Sequence, residues 1–252
     1  MDFLGLLEHH LLDYSIGLKL GPIEISKHVF MMMVATAILA IGLPLLARRW
    51  PAIPSGFRNF VEVFVVFIRD EIVLPNTGEE GRKYLPYFLT VFFFILTCNL
   101  LGMVPHSSTA TGNIAVTAGL ALATFTMIHF AGIRQYGVVH HFQNFIPSGL
   151  PIWLVPLMLP LELIGLLTKS FALCVRLFAN MIAGHIVILA LLSLIFIFGS
   201  MLSNMASQLM VAGASVLVAT AVGCLELFVA FLQAYIFTFL SAIFVGSALH
   251  PH

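Results

Sequence analysis

The fold of this chain is decided by residues 151–198, which read PIWLVPLMLPLELIGLLTKSFALCVRLFANMIAGHIVILALLSLIFIF. The stretch is almost continuously apolar, and residues 209–249 form a second segment of the same kind. A helix of about 45 residues is about 68 Å long, whereas the hydrocarbon core of a bilayer is about 30 Å thick. Each segment is therefore too long for one upright crossing, and neither carries the turn signals that would divide it into two. We predict two long, steeply tilted, antiparallel helices joined by a turn within residues 199–208.

The composition indicates an integral membrane protein. Of the 252 residues, 60% are hydrophobic and only 9% are charged, whereas a soluble domain carries about 25% charged residues. The formal net charge is zero, which argues against nucleic acid as a partner. Cys98, Cys174 and Cys224 are scattered through apolar sequence, and we interpret them as small buried side chains. Residues 1–27 include acidic residues and no basic start, so we expect no cleaved signal peptide.

Three further apolar segments predict shorter membrane crossings. They lie at residues 28–47, 87–104 and 113–131. Together with the two long helices they make five crossings in an all-α integral membrane protein, with a single membrane domain over residues 1–252. Residues 1–27 are expected to form an external N-terminal segment.

Residues 55–73 predict a helix of another kind. Charged side chains recur on one helical face and phenylalanines on the other. The two sets are Arg58, Glu62 and Arg69, and Phe60, Phe64 and Phe67. This separation is typical of an amphipathic helix that lies along the membrane interface. The predicted architecture is therefore five crossings plus one interfacial amphipathic helix.

Basic residues in the short loops predict the orientation in the membrane. They are Arg48, Arg49, Arg82, Lys83 and Arg134. If the crossings alternate in direction, these residues all fall on one side, which the positive-inside rule makes cytoplasmic. The N-terminus is then outside and the C-terminus is cytoplasmic.

Charges within the apolar second half are the candidates for function. After Arg134 the chain holds four residues from Lys, Arg, Asp and Glu, namely Glu162, Lys169, Arg176 and Glu226. A guanidinium stays protonated at physiological pH. Placing it near the centre of a bilayer costs at least ~2.5–3.5 kcal/mol. A charge held at that cost usually faces protein or a water-filled cavity and takes part in moving ions.

The spacing of these residues places them on defined helix faces. Glu162, Lys169 and Arg176 are seven residues apart and share one side of their helix. Asn180 lies close to the same face, and His185 lies roughly opposite. The predicted inner-to-outer order is therefore Glu162, Arg176 and then His185.

An antiparallel hairpin about the predicted turn brings two pairs of residues level. Arg176 and Gln233 have their midpoint within residues 199–208, and so do His185 and Glu226. Glu226 is therefore expected to pair with His185, and Gln233 to lie beside Arg176. Arg176 has no carboxylate at its own level, so we infer that another subunit supplies its counter-ion.

Titratable groups on the two sides of Arg176 suit two offset aqueous half-paths. Histidine and glutamate can pass protons on, because modest shifts bring their pKa values near the operating pH. Arginine cannot release its proton, so it blocks a direct leak between the half-paths. Ala172, Ala179 and Ala183 accompany Arg176 at helical spacing. Small side chains of this kind let a partner helix approach closely.

Two segments carry a family resemblance. SFALCVRLFANMIAGH, residues 170–185, and LELFVAFLQAYIFTFL, residues 225–240, resemble subunit a of the membrane sector of rotary F-type ATP synthases of the bacterial type. The likeness extends over most of the chain and includes Asn99-Leu100-Leu101 and Thr111-Gly112-Asn113. Some members carry glutamate at the position of His185 and histidine at that of Glu226, so this chain has the exchanged arrangement.

The resemblance implies a proton-channel stator subunit, with no enzymatic activity of its own and no nucleotide site. Arg176 would face the carboxylates of a ring of c subunits, with Glu162 in the cytoplasmic half-channel and His185 and Glu226 in the outer one. Gln233, Asn180, Lys169, Asn99 and Asn113 are further candidates for the proton path. The implied partners are the c ring, peripheral-stalk b-type subunits, the rest of the synthase and the lipid of a bacterial inner membrane. No cofactor or metal is expected.

Structural interpretations stay open for most of these residues. Glu162 is also consistent with an interfacial carboxylate, Lys169 with snorkelling to the interface, and His185 and Glu226 with a purely structural pair. Gln233 is consistent with a bridge between helices, and the two asparagines with capping or helix–helix hydrogen bonds. The paired histidines lack a third ligand at metal spacing and are interpreted as surface residues: His9, His10, His140, His141, His250 and His252.

Two questions of function also stay open. An ion-coupled secondary transporter is the alternative to the stator subunit, although the chain shows no inverted repeat and no matched pair of broken spans. The choice between H⁺ and Na⁺ would depend on the carboxylate site of the partner, and so would the number of c subunits. Neither can be read from this sequence.

Overall fold

The computed structural model describes residues 15–20, 23–47, 56–104, 109–143, 155–201 and 205–250, and these are mostly helical. We number the main helices α1 (Lys27–Ala47), α2 (Phe57–Phe67), α3 (Leu85–Gly102), α4 (Ile114–Tyr136), α5 (Val138–Gln143), α6 (Val155–Met201) and α7 (Met205–Leu249). α2 continues through a π turn, Ile68–Val73, and a last α turn, Leu74–Thr77. Short 3₁₀ turns occupy Glu79–Tyr84 and Ala110–Gly112.

Five helical segments of the described chain are long and apolar enough to cross a membrane. They are Lys27–Leu45, Glu79–Gly102, Ile114–Tyr136, Ile164–Ile188 and Gln208–Leu249. The predicted α-helical membrane architecture with five crossings is therefore confirmed.

The two long helices are continuous. α6 has 47 residues and α7 has 45, so each is about 70 Å long at 1.5 Å per residue. The predicted turn at 199–208 is too long, because α6 continues to Met201 and α7 begins at Met205. A glycine such as Gly199 costs a helix only about 1 kcal/mol, whereas backbone groups left unbonded in an apolar environment cost several.

A small β-hairpin precedes α1 and departs from the all-α prediction. Strands β1 (Ser15–Leu20) and β2 (Ile23–Ser26) pair antiparallel, with Lys19 opposite Glu24. Along both strands, apolar residues alternate with polar residues or glycine. A repeat of two residues is typical of a strand with one exposed face and not of a helix. The earlier residues, 1–14, lie outside the described part of the chain.

α2 runs alongside the second half of α7. The Phe64 ring lies 5.7 Å from that of Phe231, and the Phe67 ring lies 5.9 Å from that of Tyr235. Arg58, Glu62 and Arg69 are half-buried, whereas Val63 and Val66 are exposed. The charged and apolar faces of α2 are therefore less separated than the amphipathic pattern predicts. Phe60 differs from that pattern, since 57% of it is exposed although it contacts Phe64.

The core lies where the continuation of α2 meets α3, α4, α6 and α7. Its buried side chains are mostly large and apolar, and include Ile68, Ile72, Phe88, Phe92, Ile95, Ile128, Leu173, Leu177, Phe237 and Val245. α1 stands outside this cluster and is largely exposed. Its start is attached through His28, whose Nδ1 lies 2.8 Å from the Thr109 carbonyl oxygen.

α4 is longer than the predicted crossing at residues 113–131. α4 continues to Tyr136 and ends at Gly137, which has a φ of 80° that favours glycine. α5 then follows at once. The Tyr136 hydroxyl donates to the Leu249 carbonyl at 2.7 Å, and this contact holds the last turn of α4 against the end of α7.

Three of the exposed basic residues lie together at one end of the bundle. The amide of Gln135 donates to the Glu80 carboxylate at 2.6 Å, which joins the end of α4 to the turn before α3. The end of α4 and this turn therefore lie at the same end of the bundle, which carries Arg82, Lys83 and Arg134. We call it the basic end. Arg48 and Arg49 lie outside the described residues.

Candidate functional site

The hairpin of α6 and α7 has nearly the predicted register. The Glu226 carboxylate of α7 lies directly against the backbone of Gly184 on α6, where a Cβ atom would have no room. Gly184 and Glu226 are equidistant from residue 205, which is inside the turn that the sequence predicted. His185 follows Gly184 in α6, but its side chain lies outside the described residues, so its contact with Glu226 stays a prediction.

Four predicted residues converge on one small cavity. Asn99, Asn180, Glu226 and Gln233 line it together with Met103, Leu177, Met181, Val229 and Ala230. Its volume is about 20 Å³, and about 10–15 Å³ with two to four polar partners is enough for one water molecule. The cavity therefore joins α3, α6 and α7 through polar groups within an otherwise apolar bundle.

Asn99 is the most enclosed member of this group, with 0% of its surface exposed. Its Nδ2 donates to the Ala230 carbonyl at 3.2 Å, and its Oδ1 accepts from the Thr111 hydroxyl at 2.8 Å. These bonds connect α3 to α7 and to the Ala110–Gly112 turn. Asn99 thus makes the helix–helix bonds that one sequence interpretation expected, and it also faces the cavity.

Gln233 is buried, with 6% of its surface exposed. Gln233 and Leu177 line the same cavity, and Leu177 directly follows Arg176. Gln233 therefore lies at about the same height in the hairpin as Arg176, as predicted. Asn180 also contributes to this wall although it is exposed overall.

Arg176 points away from the core. Leu173, Cys174 and Leu177 are buried on the inner side of α6, whereas Arg176 is exposed. Among the side chains that the structure describes, none forms an ion pair with Arg176. Within the described residues, the guanidinium therefore lies on a surface that is open to another molecule.

Small residues surround Arg176 on this surface. Ala172, Ala179 and Ala183 are all exposed. A face of this kind allows a partner helix to approach the backbone of α6 closely. Position, exposure and residue size therefore agree with the counter-ion being supplied from outside the chain.

The remaining candidates are placed as follows. Lys169 is exposed, and its Nζ lies 5.6 Å from the centre of the Phe244 ring of α7, a cation–π distance. Asn113 caps α4, because its side chain accepts from the Ala115 backbone N–H at 2.8 Å. It is not among the residues that line the cavity. Glu162 lies within α6, but its side chain is outside the described residues.

Comparison with known proteins places the chain in a family. The family model described as ATP synthase A chain matches residues 29–246. This chain belongs to that family.

Its relatives are bacterial proteins of the same description. The chain is 46% identical over 243 residues to ATP synthase subunit a of Anaeromyxobacter dehalogenans (strain 2CP-C), with 94% of this chain and 61% of the relative covered. It is 48% identical over 245 residues to that of Myxococcus xanthus (strain DK1622), with 94% and 78% covered. The chain spans about three fifths of the length of the Anaeromyxobacter relative.

The structure also shows two polar contacts that the sequence did not predict. The Tyr87 hydroxyl donates to Thr124 at 3.0 Å, and Thr117 Oγ1 lies 3.4 Å from Cys174 Sγ. Thr117 and Thr124 are both fully buried. Their spacing of seven in an apolar helix was the available signal, because it places both hydroxyls on one helix face.

The cysteine interpretation is right for two residues and wrong for the third. Cys98 and Cys174 are buried, with 1% and 4% of their surfaces exposed. Cys224 is exposed. Among the described residues, the stretch of α7 around Cys224 is mostly exposed, a property that the local apolar sequence does not reveal.

We expect Gly184→Ala to lower the free energy of unfolding of the protein by about 1–3 kcal/mol. The new methyl group would displace the Glu226 carboxylate. Gly165→Ala is a matched control in the same helix, since a Cβ there would meet open space. Its effect should be neutral or slightly stabilising. Unfolding of the purified variants in mixed micelles measures the difference. Equal losses of stability in both variants would contradict the Gly184–Glu226 contact.

Proposed function

We propose that this chain is the proton-conducting stator subunit of a bacterial F-type ATP synthase, and that it exchanges protons with carboxylates on a ring of c subunits. The observation that carries this proposal is the position of Arg176. It is exposed on a face of small residues, it has no ion pair among the described side chains, and it lies beside a polar cavity that Glu226 and Gln233 line. These features suit a fixed positive charge that meets a moving carboxylate.

On the outer side, Glu226 and His185 receive a proton and transfer it to a carboxylate of the ring. The cavity supports this step, because it offers room for about one water molecule between Glu226, Gln233 and Asn99. A water molecule with such partners can relay a proton where the side chains do not touch. Protonation makes the ring carboxyl neutral, so it can rotate into lipid at a much lower cost than the ion.

On the inner side, the carboxyl loses its proton near Glu162. The resulting carboxylate is attracted to Arg176, and the positive charge blocks direct proton transfer between the half-paths. Each proton that crosses with the field gains about 2.3 kcal/mol per 100 mV. Several crossings are needed for each ATP molecule, which other subunits of the complex would form.

The proposed orientation follows from the basic end of the bundle. Arg82, Lys83 and Arg134 lie there on exposed positions, and the positive-inside rule makes this end cytoplasmic. The end of α7 lies at the same end, while the N-terminal side of α1 is outside. A c ring, b-type subunits of a peripheral stalk and the rest of the synthase are the proposed partners. The relatives' names give no support to the secondary-transporter alternative.

Site-directed cross-linking tests the proposed partner. A cysteine at Ala179, placed in a chain whose natural cysteines are replaced, should cross-link to a small two-helix subunit in the intact membrane complex. Leu173→Cys is the matched control on the buried side of α6, where 2% of the residue is exposed, and it should not cross-link. A stable complex without such a subunit, or cross-linking only from position 173, would overturn the proposal.

A further inference from the structure

His141 is buried, contrary to its interpretation as a surface residue. Only 1% of it is exposed, whereas the adjacent His140 is exposed. The Nε2 atom of His141 lies 3.0 Å from Nδ1 of His129 on α4, which is hydrogen-bonding distance. The two rings are nearly perpendicular, at 86°. The short helix α5 is thus attached to α4 through a pair of imidazoles near the basic end.

Two glycines make this attachment possible. A Cβ atom on Gly132 would collide with the His141 ring. The absence of a side chain there leaves the space that the imidazole occupies. Gly137 turns the chain with its φ of 80°, and its carbonyl accepts from the His141 backbone N–H at 3.0 Å. The backbone and the side chain of His141 therefore both hold α5 in its folded-back position.

The chemistry of the contact limits how many protons it tolerates. Two facing ring nitrogens need one proton between them, which one imidazole donates and the other accepts. When both rings are protonated, two N–H groups and two positive charges face each other, and the hydrogen bond is lost. We propose that the His129–His141 pair is an acid-labile clamp that holds α5 against α4 and releases it when the basic-end side is acidified.

The sign of the pH dependence follows from burial. Burial lowers the pKa of His141, and the neighbouring His129 lowers it further. A base with a depressed pKa binds fewer protons in the docked state than in the released state, so docking is strongest above the ordinary histidine pKa of about 6.5. It weakens as the pH falls below that value.

Charged groups lie on the elements around the histidine pair. On α4 the nearest cation is Arg134, which is exposed and lies 6.0 Å from the centre of the Phe130 ring. From the turn before α3, Glu80 bonds to Gln135. On α6, counting residues from the Thr117–Cys174 contact along an antiparallel helix pair puts the backbone of Glu162 about level with His129.

Spin-label distances in the intact complex test the clamp. Labels on cysteines introduced at Val139 of α5 and Leu122 of α4 use positions that are 71% and 65% exposed, with Cys98, Cys174 and Cys224 replaced. At pH 8 we expect a single short distance. Between pH 7 and pH 5 a longer-distance fraction should grow severalfold, because release is linked to proton uptake. An unchanged distance distribution down to pH 5 would overturn the proposal.

Three variants separate the clamp from general acid sensitivity. His141→Gln should make the distances independent of pH, whereas His140→Gln, a matched control on the same helix, should behave like the parent. Gly132→Ala should release α5 already at pH 8. The new methyl group fills the space that the His141 ring occupies, and no titratable group is removed. A pH response that persists in His141→Gln, or disappears in His140→Gln, would contradict the clamp. The outcomes for these three variants do not depend on the proposed proton path.

Discussion

Replacing Arg176 with alanine is expected to abolish proton-driven ATP synthesis, with a loss of at least about a hundredfold, as when one preorganised electrostatic group is removed from a reaction site. In the proposed function, the exposed guanidinium is the fixed charge that attracts the ring carboxylate after it has lost its proton. Without this charge the carboxylate has no partner at the interface, and the barrier between the two half-paths is removed. Inverted membrane vesicles energised by a pH difference and a membrane potential provide the measurement. The same vesicles report passive proton leakage.

Arg134→Ala is the matched control for this loss. Arg134 is also exposed, but it lies at the basic end, away from the small-residue face of α6. Its removal should leave synthesis within about twofold, since an exposed charge contributes little. Arg176→Lys tests geometry separately, because it keeps the charge but not the planar fork of donors. Coupled synthesis in the Arg176→Ala vesicles at the parent rate would exclude the assigned role.

Exchanging His185 and Glu226 is expected to damage synthesis less than either single substitution. Each single change leaves two like groups, two carboxyls or two imidazoles, at one level of the hairpin. Loss of a positioned proton-transfer group typically costs about 10²–10⁴-fold. The double exchange restores one of each, so we expect it to recover at least about tenfold over the worse single variant. Rates of synthesis for all four forms at matched complex levels make a double-mutant cycle.

The exchange has a clear negative outcome. If the double variant is no better than the worse single variant, the two residues do not act as a pair. Glu62→Gln is a useful control because it removes a carboxylate from α2, which lies outside the cavity. That variant should synthesise ATP at close to the parent rate.

The levels of Glu226 and Gln233 on the hairpin could be predicted because helix geometry is regular. Once two long helices fold antiparallel about a short turn, the positions of Glu226 and Gly184 follow from counting residues along each helix. The contact between these two residues agrees with that count. Arg176 could likewise be singled out from its high cost in an apolar segment, before any neighbour was known.

Other features could not be predicted because they depend on which helix face is covered. Cys174 and Cys224 both lie in apolar sequence, yet only Cys174 is buried, where it contacts Thr117. His140 and His141 are adjacent in sequence, but only the ring of His141 packs against a glycine of α4, Gly132. Neither difference is visible in local composition.

The sequence by itself determined the membrane class, the five apolar crossings, the unusual length of α6 and α7 and the levels of the charges along them. These properties follow from hydropathy and from the helical repeat, which act locally. Only the tertiary structure decided that Arg176 faces outward, that Asn99 bonds across to Ala230 and that His141 is buried against Gly132. The physical reason is that exposure and hydrogen-bond partners depend on how helices pack, and packing depends on residues far apart in the chain.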